Sequence, residues 1–166
     1  MRELGERKHD FIWDLEQLAE KGGKIFDKLL KPPALEQPPF WKPANVLKRS
    51  VYRIGQQIAD RQEEAFLAEF VQNYMSDWKN PLVRKSAPHP EENPFFWCYH
   101  LLAGGCPHIS RDQRSKSARQ LVYAYRHNIP TELVIGFIMQ CKHTEASRGP
   151  DDGLRESWFL TDHQIT

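Results

Sequence analysis

From Ala44 to about Trp78 the apolar residues recur with the period of an α-helix, and this stretch limits the possible folds more than any other. Leu47, Val51, Ile54 and Ile58 follow at steps of four, three and four, which stacks them on one helical face. Arg49, Arg53 and Gln56 fall on the opposite face, with Lys48 at its flank. Past Asp60 the apolar positions Phe66, Leu67, Phe70, Val71, Tyr74, Met75 and Trp78 spread around the axis. A helix that is apolar all round is buried. The second half is therefore expected at the centre of the molecule, after a bend or break between Asp60 and Glu64 where the stripe changes.

Prolines divide the rest of the chain. Five of the twelve lie between Pro32 and Pro43, in PPALEQPPFWKP, and forbid regular helix or a central strand there. The expectation is an extended strap that Phe40 and Trp41 pin to its own domain. Pro81 to Pro94 reads as a second loop. Before the strap, Arg7 to Lys21 carries a helical stripe of Phe11, Ile12, Leu15, Leu18 and Ala19, and Gly22-Gly23 reads as its stop. A short run at helical spacing follows: Ile25, Phe26, Leu29 and Leu30. After the second loop, Pro94 suits the first position of a helix made apolar by Phe95, Phe96, Trp97, Leu101 and Leu102. Gly104-Gly105 closes it. A helix over Ser110 to His127 and a buried one around Leu133 to Lys142 complete the series. There is no hairpin signal, internal repeat or low-complexity tract. The pattern predicts an all-α fold, a compact bundle of roughly five to seven helices with proline-rich connecting loops. The bundle is expected over residues 1–146, followed by an acidic, mobile tail over 147–166.

Charge is balanced overall and uneven locally. The chain carries 23 Lys and Arg against 22 Asp and Glu, for a net charge of +1. Attraction to a polyanion must then come from a patch. Between Ser110 and His127 stand Arg111, Arg114, Lys116, Arg119 and Arg126 against Asp112 alone. From Glu145 onward acids dominate. Lys116, Arg119, Tyr123 and Arg126 follow at steps of three, four and three, on one face of the predicted helix. Ala118, Leu121, Val122 and Tyr125 fall on a neighbouring apolar face. Cations beside an aromatic ring suit a phosphate backbone with bases nearby. Arg111 and Arg114 sit in the first turns, where the macrodipole disfavours cations by about a few tenths of a kcal/mol each. A phosphate at that end would reverse the sign of the effect. The expected nucleic-acid contacts, to DNA or RNA, are Arg49, Arg53, Arg111, Arg114, Lys116, Arg119 and Arg126, with Tyr123 stacking on a base. The ordinary explanation for such residues is a solvated helix face with long side chains lying along it.

Other chemistry finds less support. Cys98, Cys106 and Cys141 are an odd set, the start MRELGERKHD has no apolar signal core, and no stretch reaches the length of a membrane span. The expectation is a cytoplasmic, reducing setting with free thiols and no membrane contact. Cys98, His100, Cys106, His108, Cys141 and His143 lack C-x-x-C spacing, so buried thiols and incidental histidines are expected rather than a metal site. The chain has no glycine-rich phosphate loop, nucleophile elbow or HExxH pattern. Glu63-Glu64, Glu91-Glu92 and Asp151-Asp152 read as solvated charge. No catalytic residue and no cofactor are expected.

In size, helical content and patchy basic surface, the chain resembles the small subunit of CRISPR surveillance complexes (Cascade and its relatives). The resemblance covers most of the chain as architecture. It implies several copies stacked along the belly of an RNA-guided complex. It also implies contact with the displaced non-target strand or the guide–target backbone, stabilisation of the R-loop, and no catalytic residues. Other subunits, including further copies of the chain, would be its partners. The alternative is a protein-binding helical adaptor anchored by Phe40, Trp41, Trp158 and Phe159, with its basic helix facing an acidic partner.

Overall fold

The computed structural model describes residues 11–30, 39–75, 87–103 and 105–140. They form six α-helices and no strand: α1 (Phe11–Leu29), α2 (Pro43–Asp60), α3 (Glu64–Met75), α4 (Pro94–Leu101), α5 (Arg111–Arg126) and α6 (Val134–Gln140). Two 3-10 turns, Pro39–Trp41 and Thr131–Leu133, precede α2 and α6. The fold is the all-α bundle that the periodicity predicts. Trp78, Cys141, His143, Trp158, Phe159 and the expected tail over 147–166 lie outside the described residues.

The hub is α2, which packs on α1 and α4 and also touches α3, α5 and α6. Its predicted stripe is the core: Leu47, Val51, Ile54 and Ile58 have no exposed surface, and neither has Tyr52. Each such side chain stabilises the fold by about 1.5–3 kcal/mol relative to exposure. Pro43 opens the helix, where its missing N–H costs nothing. At the far end Gln62 takes a left-handed conformation, φ 58°. The Glu63 N–H donates to the Ile58 carbonyl at 3.0 Å, which closes the last turn. The break predicted between Asp60 and Glu64 is this cap.

The chain beyond the break does not form the centre. On α3, Leu67 and Val71 are buried against the core, while Ala65, Phe66, Glu69, Gln72 and Asn73 are exposed. The spread of apolar residues has a different cause. One side of α3 packs on α4. An adjoining flank carries a ladder of rings, Phe66, Phe70 and Tyr74, with centroids 6.1 and 6.0 Å apart. Phe66 meets Phe11 of α1 edge-on at 5.9 Å. Phe70 and Tyr74 are half-buried against the core and Phe66 is exposed, so the ladder leads from the core to the rim.

The expected stop at Gly22-Gly23 is also overturned. Both glycines lie inside α1, which runs on to Leu29 and takes in the short apolar run. They are there for proximity. A Cβ on Gly23 would sit 1.8 Å from the Gly105 carbonyl oxygen, and one on Gly22 would sit 2.3 Å from Leu102 Cδ2. The turn after α4 therefore lies directly on the backbone of α1. This contact fixes the corner from which α5 departs. Cys98 and Cys106 are buried free thiols at α4 and in that turn.

Candidate nucleic-acid interface

A reciprocal cap starts α5. Ser110 Oγ accepts from the Gln113 N–H at 3.2 Å, and Gln113 Oε1 accepts from the Ser110 N–H at 2.8 Å. The S-x-x-Q signature that encodes it is in the sequence. At the other end Asn128, φ 54°, closes the helix, with the Ile129 N–H donating to Ala124 at 3.1 Å. The inner face holds buried Ala118, Gln120, Leu121, Tyr123 and Ala124. Tyr125 is tied outward from Phe95, its ring 5.8 Å away, to Asp60 Oδ1 at 3.1 Å. The helix is thus a rigid support capped at both ends.

Arg111, Lys116, Arg119 and Arg126 are exposed along its outer face. None of them makes a hydrogen bond or ion pair with another described residue. Over the ~1.5 Å rise per residue, the four cations extend about 22 Å. Asp112 is the one acid on the helix. Arg114 is half-buried, and its Nη1 donates to the Ile109 carbonyl at 2.7 Å, so it lies at the edge of this ribbon, fixed in place.

Three expected contacts do not belong to the surface. Tyr123 is 2% exposed. Its ring stacks on Phe137 of α6 at 5.7 Å and meets His127 at 4.4 Å. The spacing that joins it to Lys116, Arg119 and Arg126 is real, but α6 covers that edge of α5. Tyr123 is a core residue and does not face a base. Arg49 has no exposed surface. Its Nη1 donates to the Phe40 carbonyl at 2.6 Å, and its guanidinium lies 3.5 Å from the centre of the Phe40 ring. The 3-10 turn Pro39–Trp41 closes over α2 at this residue, so Arg49 pins the described end of the strap. Arg53 is half-buried and engaged within the chain. Of the expected cations, those exposed and without a partner among the described residues all lie on α5. Replacing Arg49 by Met is expected to lower stability by about 2–3 kcal/mol, through the lost charged hydrogen bond and ring contact, as measured by urea unfolding. Oligonucleotide affinity of the folded variant is expected to be unchanged.

Behind the ribbon, Lys48 of α2 donates from Nζ to Gln120 Oε1 at 2.9 Å. Burial pushes its amine down to about 8. The unfolded chain binds that proton up to ~10.4. Folding thus disfavours the charged form, so stability rises with pH between these values and is lost as pH falls through about 8. Lys48→Met is expected to gain about 1 kcal/mol at neutral pH, after allowing for the unpaired Gln120, and to remove the rise. Denaturant titrations of both proteins at neutral and at alkaline pH measure it.

One group that the spacing did not single out for this surface joins it from α4. His100, set aside as incidental, lies within the field of Arg114 and Arg111. A one-helix pattern cannot show such an influence between elements. Among the described residues no group of three or more His, Cys, Asp or Glu is gathered as for a metal ion. No described helix is long and apolar enough to cross a membrane. No family model matches the chain, and neither a curated protein nor a solved structure matches it significantly.

Proposed function

We propose that this chain is a non-catalytic helical subunit that holds a nucleic-acid backbone along the outer face of α5, within a larger ribonucleoprotein. The observation that carries the reading is the row of exposed cations Arg111, Lys116, Arg119 and Arg126, which have no partner among the described residues, on a helix capped at both ends. A net charge of +1 makes this a local grip and not a general polycation. Phosphate contacts of this kind hold a strand without reading its sequence. On this reading the strand is the displaced strand or the guide–target backbone of an R-loop, as in the CRISPR surveillance complexes that the chain resembles. Neighbouring subunits, copies of this chain among them, complete the binding path in the cytoplasm.

Fluorescence anisotropy of labelled single-stranded and duplex oligonucleotides across a salt series tests the proposal. Four phosphate contacts correspond to a log–log slope of about −3 on a single strand. No binding at low salt, or a slope near zero, would overturn it.

A second reading, a protein-binding adaptor, draws on exposed apolar side chains: Ile12 and Trp13 are 46% exposed and Trp41 47%. It predicts no affinity for bare oligonucleotides and weak salt dependence with a protein partner.

A further inference from the structure

Three nitrogen-bearing side chains lie at the corner where α4 ends and α5 begins. His100 lies in the last turn of α4. Its ring stacks on Phe96 at 6.1 Å, and its Nε2 is buried with no hydrogen-bond partner. Arg114 and Arg111 are the charges of α5 that act on it. Burial first, and then these guanidiniums, hold the imidazole below its ordinary value. Arg114 cannot swing away, because Ile109 fixes its Nη1. The other titratable groups of the corner face one another. Asp27 of α1 is held by His108 Nε2 at 2.6 Å, and the Cys106 thiol is buried, which raises it. Among the described residues no carboxylate offsets the two arginines at His100.

We infer that this corner takes up a phosphate and a proton together: a strand phosphate seated against Arg111 and Arg114 draws a proton from solvent onto His100, so that binding tightens as pH falls. The inference rests on the phosphate-binding reading of α5. The phosphate offsets the part that the two guanidiniums add to the effect of burial. It also supplies an acceptor toward which the charged ring is attracted. Binding and protonation then favour each other equally. The added affinity is complete below the free imidazole's titration and absent above that of the bound form.

The test is the affinity of wild type for labelled oligothymidylate at constant ionic strength, from roughly pH 8 to roughly pH 5.5, the range over which histidine changes charge. The expected result is several-fold tighter binding at the acid end, up to about tenfold for each unit by which binding raises the imidazole. His100→Gln is expected to give a flat profile. Because that variant can lose stability, the His100 ring proton of wild type is also titrated by NMR. Three samples are compared: free protein, protein with oligothymidylate, and protein with inorganic phosphate. A midpoint raised by the strand alone supports a phosphate held as part of a backbone. One raised by inorganic phosphate as well supports a site for a single phosphate. Salt-sensitive binding with a flat pH profile and an unmoved midpoint would overturn the coupling and leave the α5 reading intact. No binding at any pH would overturn both.

Discussion

Changing Arg111, Lys116, Arg119 and Arg126 together to Gln is expected to weaken oligonucleotide binding by about two orders of magnitude or more at low salt. The magnitude of the log–log salt slope is expected to fall by about 3, at about 0.7 per phosphate contact on a single strand. Each of these side chains is exposed and has no partner among the described residues. Stability is therefore expected to stay within about 0.5 kcal/mol per site, and circular dichroism should be unchanged. Single changes are expected to act nearly equally, because a phosphate ribbon is a sum of similar contacts. Equal affinity of wild type and the fourfold variant would remove α5 as the binding surface.

Gly23→Ala is expected to destabilise the fold by roughly 3 kcal/mol, the largest effect of a single methyl group among the described glycines. Helix propensity alone predicts the reverse, a gain of about 1 kcal/mol for Gly to Ala inside a helix. The tertiary contact decides. The new Cβ would lie 1.8 Å from a backbone oxygen, that of Gly105. No rotamer change relieves a backbone clash, so α1 and the turn after α4 must separate. Gly22→Ala is the internal comparison, since its Cβ meets the flexible end of Leu102. It is expected to cost less than about 1 kcal/mol once propensity is counted. Urea unfolding of the two variants measures the difference. A stabilised Gly23→Ala would show that α1 does not lie on this turn.

These cases show which features were legible in the sequence. The stripe Leu47, Val51, Ile54, Ile58 was readable because one helix facing one core is a single-period problem. The break after Asp60 was readable for the same reason. Gly22-Gly23 misled because a helix stop and a close-packing notch use the same residue, and only the neighbouring turn separates them. On α3 the expectation holds for Leu67 and Val71, while Phe66, Phe70 and Tyr74 form a ladder of rings leading out to the rim. Arg49 and Tyr123 were misassigned for one physical reason. Periodicity gives the face of a helix but not the element that covers it, here the Pro39–Trp41 turn and α6. The exposed cations of α5 were legible because nothing in the described fold lies over them. His100 was not, because the charges that act on it come from the next helix.

The proposed function has α5 grip a nucleic-acid backbone with its outer face. Amide and side-chain NMR shifts of the intact protein, recorded on addition of oligothymidylate, test it most directly. Shifts are expected at Arg111, Lys116, Arg119 and Arg126, with His100 and Arg114 at one end, while Tyr123, Arg49 and the α3 rings stay still. Shifts centred instead on Ile12, Trp13 and Phe66, or absent at saturating oligonucleotide, would contradict it.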